Sequence, residues 1–282
     1  MEKDKKIKLA PVFDIFEDAL KTWWKNLQKI IMVYLWGLGY ALIPMVVVGI
    51  LLGINYMLGD KVGFGFCVAT IIISILCFLV AFYFLVRAYL GVFLLVKHDY
   101  PENAKKLFAE SRQYFWPYFF LVLMTSVFVL LWALLLIIPG IIYATLYSFA
   151  CYALFFEDKR GMKAIKRSIQ LVTGYFWPVL GRFLFVGVIV WLFAMILSLP
   201  LSFFHGFMYS LWNGVIQVVN FLVGPMVLIY TYSIYKELVH IKKKRDIHKR
   251  ISRFDAAMRI RSTISEYLRV LLLQISYRFL SI

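Results

Sequence analysis

The chain has 282 residues, 63% of them hydrophobic and only 16% charged, and it carries a net charge of +16. A soluble domain has about 25% charged and 45–50% apolar residues, so a water-soluble globular fold is excluded on composition. The basic excess does not point to nucleic acid, because Lys and Arg fall between the apolar runs and in the C-terminal tail.

In chain order, Met1–Leu9 is charged, and from Val12 to Leu27 apolar residues recur at helical spacing opposite Asp14, Glu17, Asp18, Lys21 and Lys25. That pattern predicts an amphipathic helix lying on the membrane surface, and residues 1–29 are read as a cytoplasmic N-terminal segment without a cleavable signal peptide. Spans are predicted at about Ile30–Ile50, Phe64–Leu85, Tyr118–Ile138, Gly140–Phe156, Phe183–Pro200 and Val215–Tyr235, each near the roughly 20 residues that cross hydrocarbon. Ala88–Val96 is expected to lie along the interface, and Gly59-Asp60-Lys61 to turn between spans one and two. Pro139-Gly140 should break the helix between spans three and four. Two further surface helices are predicted at Glu102–Tyr114 and Glu157–Gly174, and Leu201–Gly214 reads as an uncharged aromatic connector. The fold class is thus all-α: a polytopic membrane protein of six transmembrane helices, arranged as three hairpin units each preceded by a cytoplasmic amphipathic helix. The membrane domain covers 30–235 and a basic amphipathic tail 236–282.

The charges orient it. Of 31 Lys and Arg, Met1–Lys29 holds seven, Lys97–Gln113 four, Glu157–Gly174 five and Lys236–Ile282 twelve. The positive-inside rule places all four segments, and both termini, in the cytoplasm, with a bacterial inner membrane as the expected location.

Tyr114-Phe115-Trp116-Pro117 recurs 61 residues later as Tyr175-Phe176-Trp177-Pro178, and the same shift relates Pro139 to Pro200. With Trp23-Trp24 ahead of Pro44 as a looser first copy, this predicts three repeats. Trp23, Trp24, Trp116 and Trp177 are read as interface anchors, because indole favours the headgroup level. Arg87 and Arg182, near span ends, are assigned to the same role by snorkelling.

Pro139-Gly140, Glu157-Asp158, Ala164-Ile165, Arg167-Ser168, Leu171, Gly174 and Trp177 resemble the membrane domain attached to some bacterial glycerophosphodiester phosphodiesterases, and related stand-alone bacterial membrane families. The resemblance covers roughly residues 10–240 and implies a six-span domain. The phosphodiesterase of such fusions is a separate soluble barrel, so neither its activity nor its catalytic residues carry over.

No Asp or Glu lies inside a predicted span, which disfavours ion-coupled transport. His98, His205, His240 and His248 are dispersed, Cys67, Cys77 and Cys151 have no CxxC spacing, and Ser126 and Ser148 have no base nearby. No cofactor or metal site is expected. Asn213, Gln217 and Asn220 share one helical face at the start of the last span; they read either as an N-cap plus interhelical hydrogen bonds or as a polar path. In the tail Lys242, Lys243, Lys244, Arg245, Lys249 and Arg250 precede apolar residues at three- and four-residue steps, a pattern suited to anionic lipid. The functional expectation is a non-enzymatic membrane scaffold or accessory protein contacting lipid or a partner at its cytoplasmic face. The alternatives are a transporter or channel with a path along the last span and, ranked below it, a membrane-embedded enzyme. Self-association or a protein partner through the tail stays open; nucleic acid is not expected.

Overall fold

The computed structural model describes residues 9–58, 63–101, 103–203 and 205–280, with the backbone alone from 259 onward. Asp60, Lys61 and Glu102, and the side chain of Lys249, lie outside this description. The described chain is all-helical: α1 (Val12–Lys25), α2 (Leu27–Leu58), α3 (Phe64–Lys97), α4 (Ala104–Leu135), α5 (Ile137–Tyr147), α6 (Ala150–Glu157), α7 (Met162–Val172), α8 (Phe176–Ser198) and α9 (Gly206–Leu280), with a 3₁₀ turn at Leu199–Ser202. Six helical stretches are long and apolar enough to cross a membrane: α2, α3, α4, α5 with α6, α8, and the first part of α9. The described residues divide into two compact units, the larger ending at Tyr235 and the smaller beginning at Lys236.

Within the larger unit α2 and α3 pack closely along each other because glycine faces small side chains. A Cβ on Gly37 would overlap that of Ala88, and one on Gly91 would lie 2.6 Å from Val33 Cγ1. The N-terminus of α4 is capped by Asn103, whose Oδ1 accepts from the Lys106 amide at 3.0 Å. From there α4 runs unbroken for 32 residues through Pro117. The predicted surface helix 102–114 and span three are therefore one helix. The corresponding segment of the 61-residue repeat is broken between α7 and α8 at Thr173-Gly174-Tyr175. Gly174 takes φ +90 there, a conformation open to glycine and costly for Gln113 at the matching position. The two copies share side-chain directions nonetheless: Tyr114 and Tyr175 are buried, Trp116 and Trp177 exposed.

The break between α4 and α5 falls at Leu136, in extended backbone, three residues ahead of Pro139. Pro139 sits in the first turn of α5, where a missing amide costs no helical bond. The stretch from 137 to 157 is itself interrupted at Ser148-Phe149. Three backbone groups at this interruption are met by serines. Ser148 Oγ donates to the Thr145 carbonyl at 2.8 Å, and the Phe149 amide donates to Ser168 Oγ of α7 at 3.1 Å. Ser168, fully buried, donates its own hydroxyl hydrogen bond to the Leu146 carbonyl at 2.6 Å. Replacing Ser168 by alanine strands the buried Phe149 amide, so a loss of about 1–3 kcal/mol is expected. A lowered unfolding midpoint in detergent, restored by Ser168→Thr, is the measurement.

The core lies at the end of the larger unit where charged residues gather. Leu90–Val96 of α3 is buried all round, as are Phe149 and Ala150, Tyr152–Phe155 and Leu228–Tyr230. Ala88–Val96 thus continues α3 into the core and does not lie along an interface: a helix apolar on every side is stable only when enclosed. The last apolar helix also begins earlier than the predicted 215. It is helical from Gly206, inside the expected connector, while Met226, Leu228–Thr231, Ile234 and Tyr235 are buried in the core.

Candidate functional site

Large apolar side chains are exposed along the long helices: over Met32–Met57 on α2, Phe64–Phe82 on α3, Trp116–Leu135 on α4, Trp177–Ile196 on α8 and Phe207–Phe221 on α9. On α3, α4 and α8 these runs are about 20 residues long, close to 30 Å. Below them come the buried core and the ion pairs.

At the junction, Trp24, Trp116 and Trp177 point outward, 71%, 61% and 77% exposed. Trp23 does not: its Nε1 donates to the Leu222 carbonyl at 3.1 Å, three residues before Pro225. Together with Phe13 against Phe185 and Phe16 against Tyr230, this packs α1 against α8 and α9. Both arginines assigned to snorkelling turn inward instead. Arg87 NH2 donates to the Phe108 carbonyl at 2.6 Å and Nε to Ser111 Oγ at 3.3 Å, with the guanidinium 4.4 Å from the Phe108 ring centroid. Arg182, 3% exposed, donates to the Ala10 carbonyl, so it ties the segment before α1 to α8. The reason is shared: a protein carbonyl within reach at the span end competes with water for the guanidinium.

The polar stripe is where the last span departs most from expectation. Asn213 lies seven residues inside α9 and so is not its N-cap; it is half-buried, and Gln217 and Asn220 are exposed among apolar neighbours. Among the described residues none of the three carboxamides has a hydrogen-bond partner. A cleft of about 700 Å³ between α2 and α3, lined by Pro44, Asn55, Thr70 and Ser74 among apolar residues, is a second feature the sequence did not single out.

At the charged end Glu157 is the hub. Its carboxylate accepts from Arg167 Nε at 2.9 Å, Lys159 Nζ at 2.7 Å and Tyr235 Oη at 2.9 Å, joining α6, α7 and α9. Nearby, Lys97 pairs with Asp158 at 3.7 Å and donates to Tyr114 Oη at 3.1 Å. Glu157 and Ser168 were legible only as residues of the predicted surface helix Glu157–Gly174 and of the resemblance motif; nothing in their spacing announces that they meet partners 78 and 19 positions away. Among the described residues no three His, Cys, Asp or Glu side chains gather at metal-binding distance.

In the smaller unit, residues 236–280 are helical, with Lys243, Lys244 and Arg250 exposed and Lys242 and Arg245 half-buried. Ile247, Ile251, Phe254 and Met258 are exposed and follow one another by four, three and four residues, hence on one face.

No protein-family model matches the chain. Neither a curated protein nor a solved structure matches it.

Proposed function

We propose that the chain is a six-span, non-enzymatic integral membrane protein that acts as a scaffold or accessory component, engaging anionic lipid or a partner at its cytoplasmic face. The observation that supports this is the division of the larger unit into an exposed apolar band and a buried, ion-paired end, with outward tryptophans between them. On this reading the band lies in hydrocarbon, the tryptophans lie at the headgroups, and the buried end is a helical platform in the cytoplasm. Three hairpin units, α2–α3, α4 with α5 and α6, and α8 with the start of α9, then carry α1, the start of α4 and α7 as platform helices. The platform rests on packing against its neighbours more than on the membrane surface. The transporter reading draws no support from the amides of α9, since Gln217 and Asn220 face outward.

The tail supplies the lipid contact. Its exposed basic and apolar residues suit an anionic leaflet, each nearby cation adding about 1 kcal/mol of attraction that salt screens. Trypsin should cut at Lys243 and Lys244 readily in neutral proteoliposomes and be blocked in anionic ones, with cutting restored at high salt. Equal protection in both lipids would sink the electrostatic part. For topology, cysteines at Lys105 and Lys163 should label from one side of sealed vesicles and one at Tyr56 from the other.

A further inference from the structure

Six residues of α9, Gly206, Ser210, Asn213, Gln217, Asn220 and Gly224, recur by four, three, four, three and four. At 100° per residue they fall within about 40° of one line along the helix. All are small or carry an amide. Ser210, Gln217 and Asn220 are exposed, and a Cβ added at Gly206 or Gly224 meets nothing within 4 Å. The face is therefore open in the single chain at Ser210, Gln217 and Asn220, with Asn213 half-buried. Phe207, Met208, Leu211, Val215, Val218 and Phe221, around the rest of the exposed surface, are large and apolar.

An acyl chain offers this face neither a donor nor an acceptor, and a carboxamide left facing hydrocarbon keeps an unsatisfied N–H pair and carbonyl. Each carboxamide holds two donors and an acceptor, so it is complementary to another copy of itself across a two-fold axis. Small residues a turn above and below let two backbones approach closely enough for the amides to meet. From this we infer that the chain pairs with a second copy of itself through this face of α9, with Gln217 and Asn220 hydrogen-bonding across the axis. The occupant is the same chain because the polar groups on the face demand their own chemistry in return, which neither lipid nor an apolar partner helix supplies. The pairing lies in the membrane and is distinct from any association through the tail.

The inference rests on α9 being a membrane span. The test uses the full chain in lipid vesicles, with Cys67, Cys77 and Cys151 replaced by alanine and single cysteines introduced as Ser210→Cys on the face and Leu211→Cys off it. Oxidation should give a disulfide-linked dimer for Ser210→Cys and little for Leu211→Cys. In a separate energy-transfer titration against lipid dilution, Gln217→Leu with Asn220→Leu should weaken pairing roughly tenfold or more, through loss of several weak bonds. The Gln217→Asn variant should retain most of it. These lipid-facing changes make α9 more apolar, and an unchanged unfolding midpoint verifies that the monomer is intact. Absence of a Ser210→Cys dimer, equal crosslinking at both positions, or undiminished pairing of the double leucine variant would each overturn the inference. A water-soluble maleimide separates the two readings. If it fails to label Ser210→Cys and no dimer forms, the pairing is wrong but the span stands. Ready labelling at both positions means the span itself is wrong.

Discussion

Substituting Gly37 by leucine is expected to separate α2 from α3 and to give the largest loss of stability of any single change discussed. A side chain there meets the Cβ of Ala88 and, at 3.3 Å, both the Ala88 Cα and the Phe84 carbonyl oxygen. Two of those three atoms are backbone and cannot swing aside. Overpacking of a well-filled core costs about 1–3 kcal/mol when side chains can adjust, and a backbone clash puts the cost at or above the upper end. Gly91→Leu, on the facing helix, meets only Val33 Cγ1, the tip of a side chain, and should cost less. Gly39, two residues from Gly37, has open space around it, so Gly39→Leu is the matched control. Thermal unfolding in detergent should rank the three with Gly37→Leu lowest, Gly91→Leu next and Gly39→Leu near the parent. Equal midpoints for the Gly37 and Gly39 variants would refute the close approach.

Glu157→Leu is expected to loosen the charged end. The carboxylate side chain is 21% exposed, and three donors from two helices and the intervening loop converge on it. Removing one partner of a fully buried charged cluster costs about 3–5 kcal/mol, and partial exposure lowers that here to roughly 2 kcal/mol. Glu157→Gln keeps an acceptor for Tyr235 and removes the charge, so it should lie between. Since Arg167 and Lys159 lose their partner together, Arg167→Leu in the Glu157→Leu background should add little, the mark of coupled residues. Additive losses in that double variant would show that Arg167 is held by other contacts.

How far this architecture was legible in the chain depends on the kind of signal. Long uncharged runs exist because hydrocarbon tolerates no unpaired backbone and few charges. The six apolar helices and their order were therefore readable residue by residue. Periodicity also put Asn213, Gln217 and Asn220 on one face, since 3.6 residues per turn is a property of the helix alone. The starts and ends of helices were less accessible. Pro117 does not separate the predicted surface helix from span three, and the break before α5 falls three residues ahead of Pro139, because a proline costs little where neighbours or a first turn absorb its missing amide.

What composition could not distinguish was an apolar helix facing lipid from one enclosed by protein. The burial of Ala88–Val96 and of 226–235 was not legible, because leucine, valine and tyrosine look alike in both settings; packing against α6 and α1 encloses them. For Arg87 and Arg182 the direction of each side chain depended on a distant carbonyl, of Phe108 or Ala10, whose nearness no local pattern encodes. Ser168 and Glu157 follow the same rule. The sequence by itself determined which segments must leave water. The tertiary structure decided which of them meet one another, because hydrophobic burial is non-directional while hydrogen bonds and close glycine contacts require particular partners at particular distances.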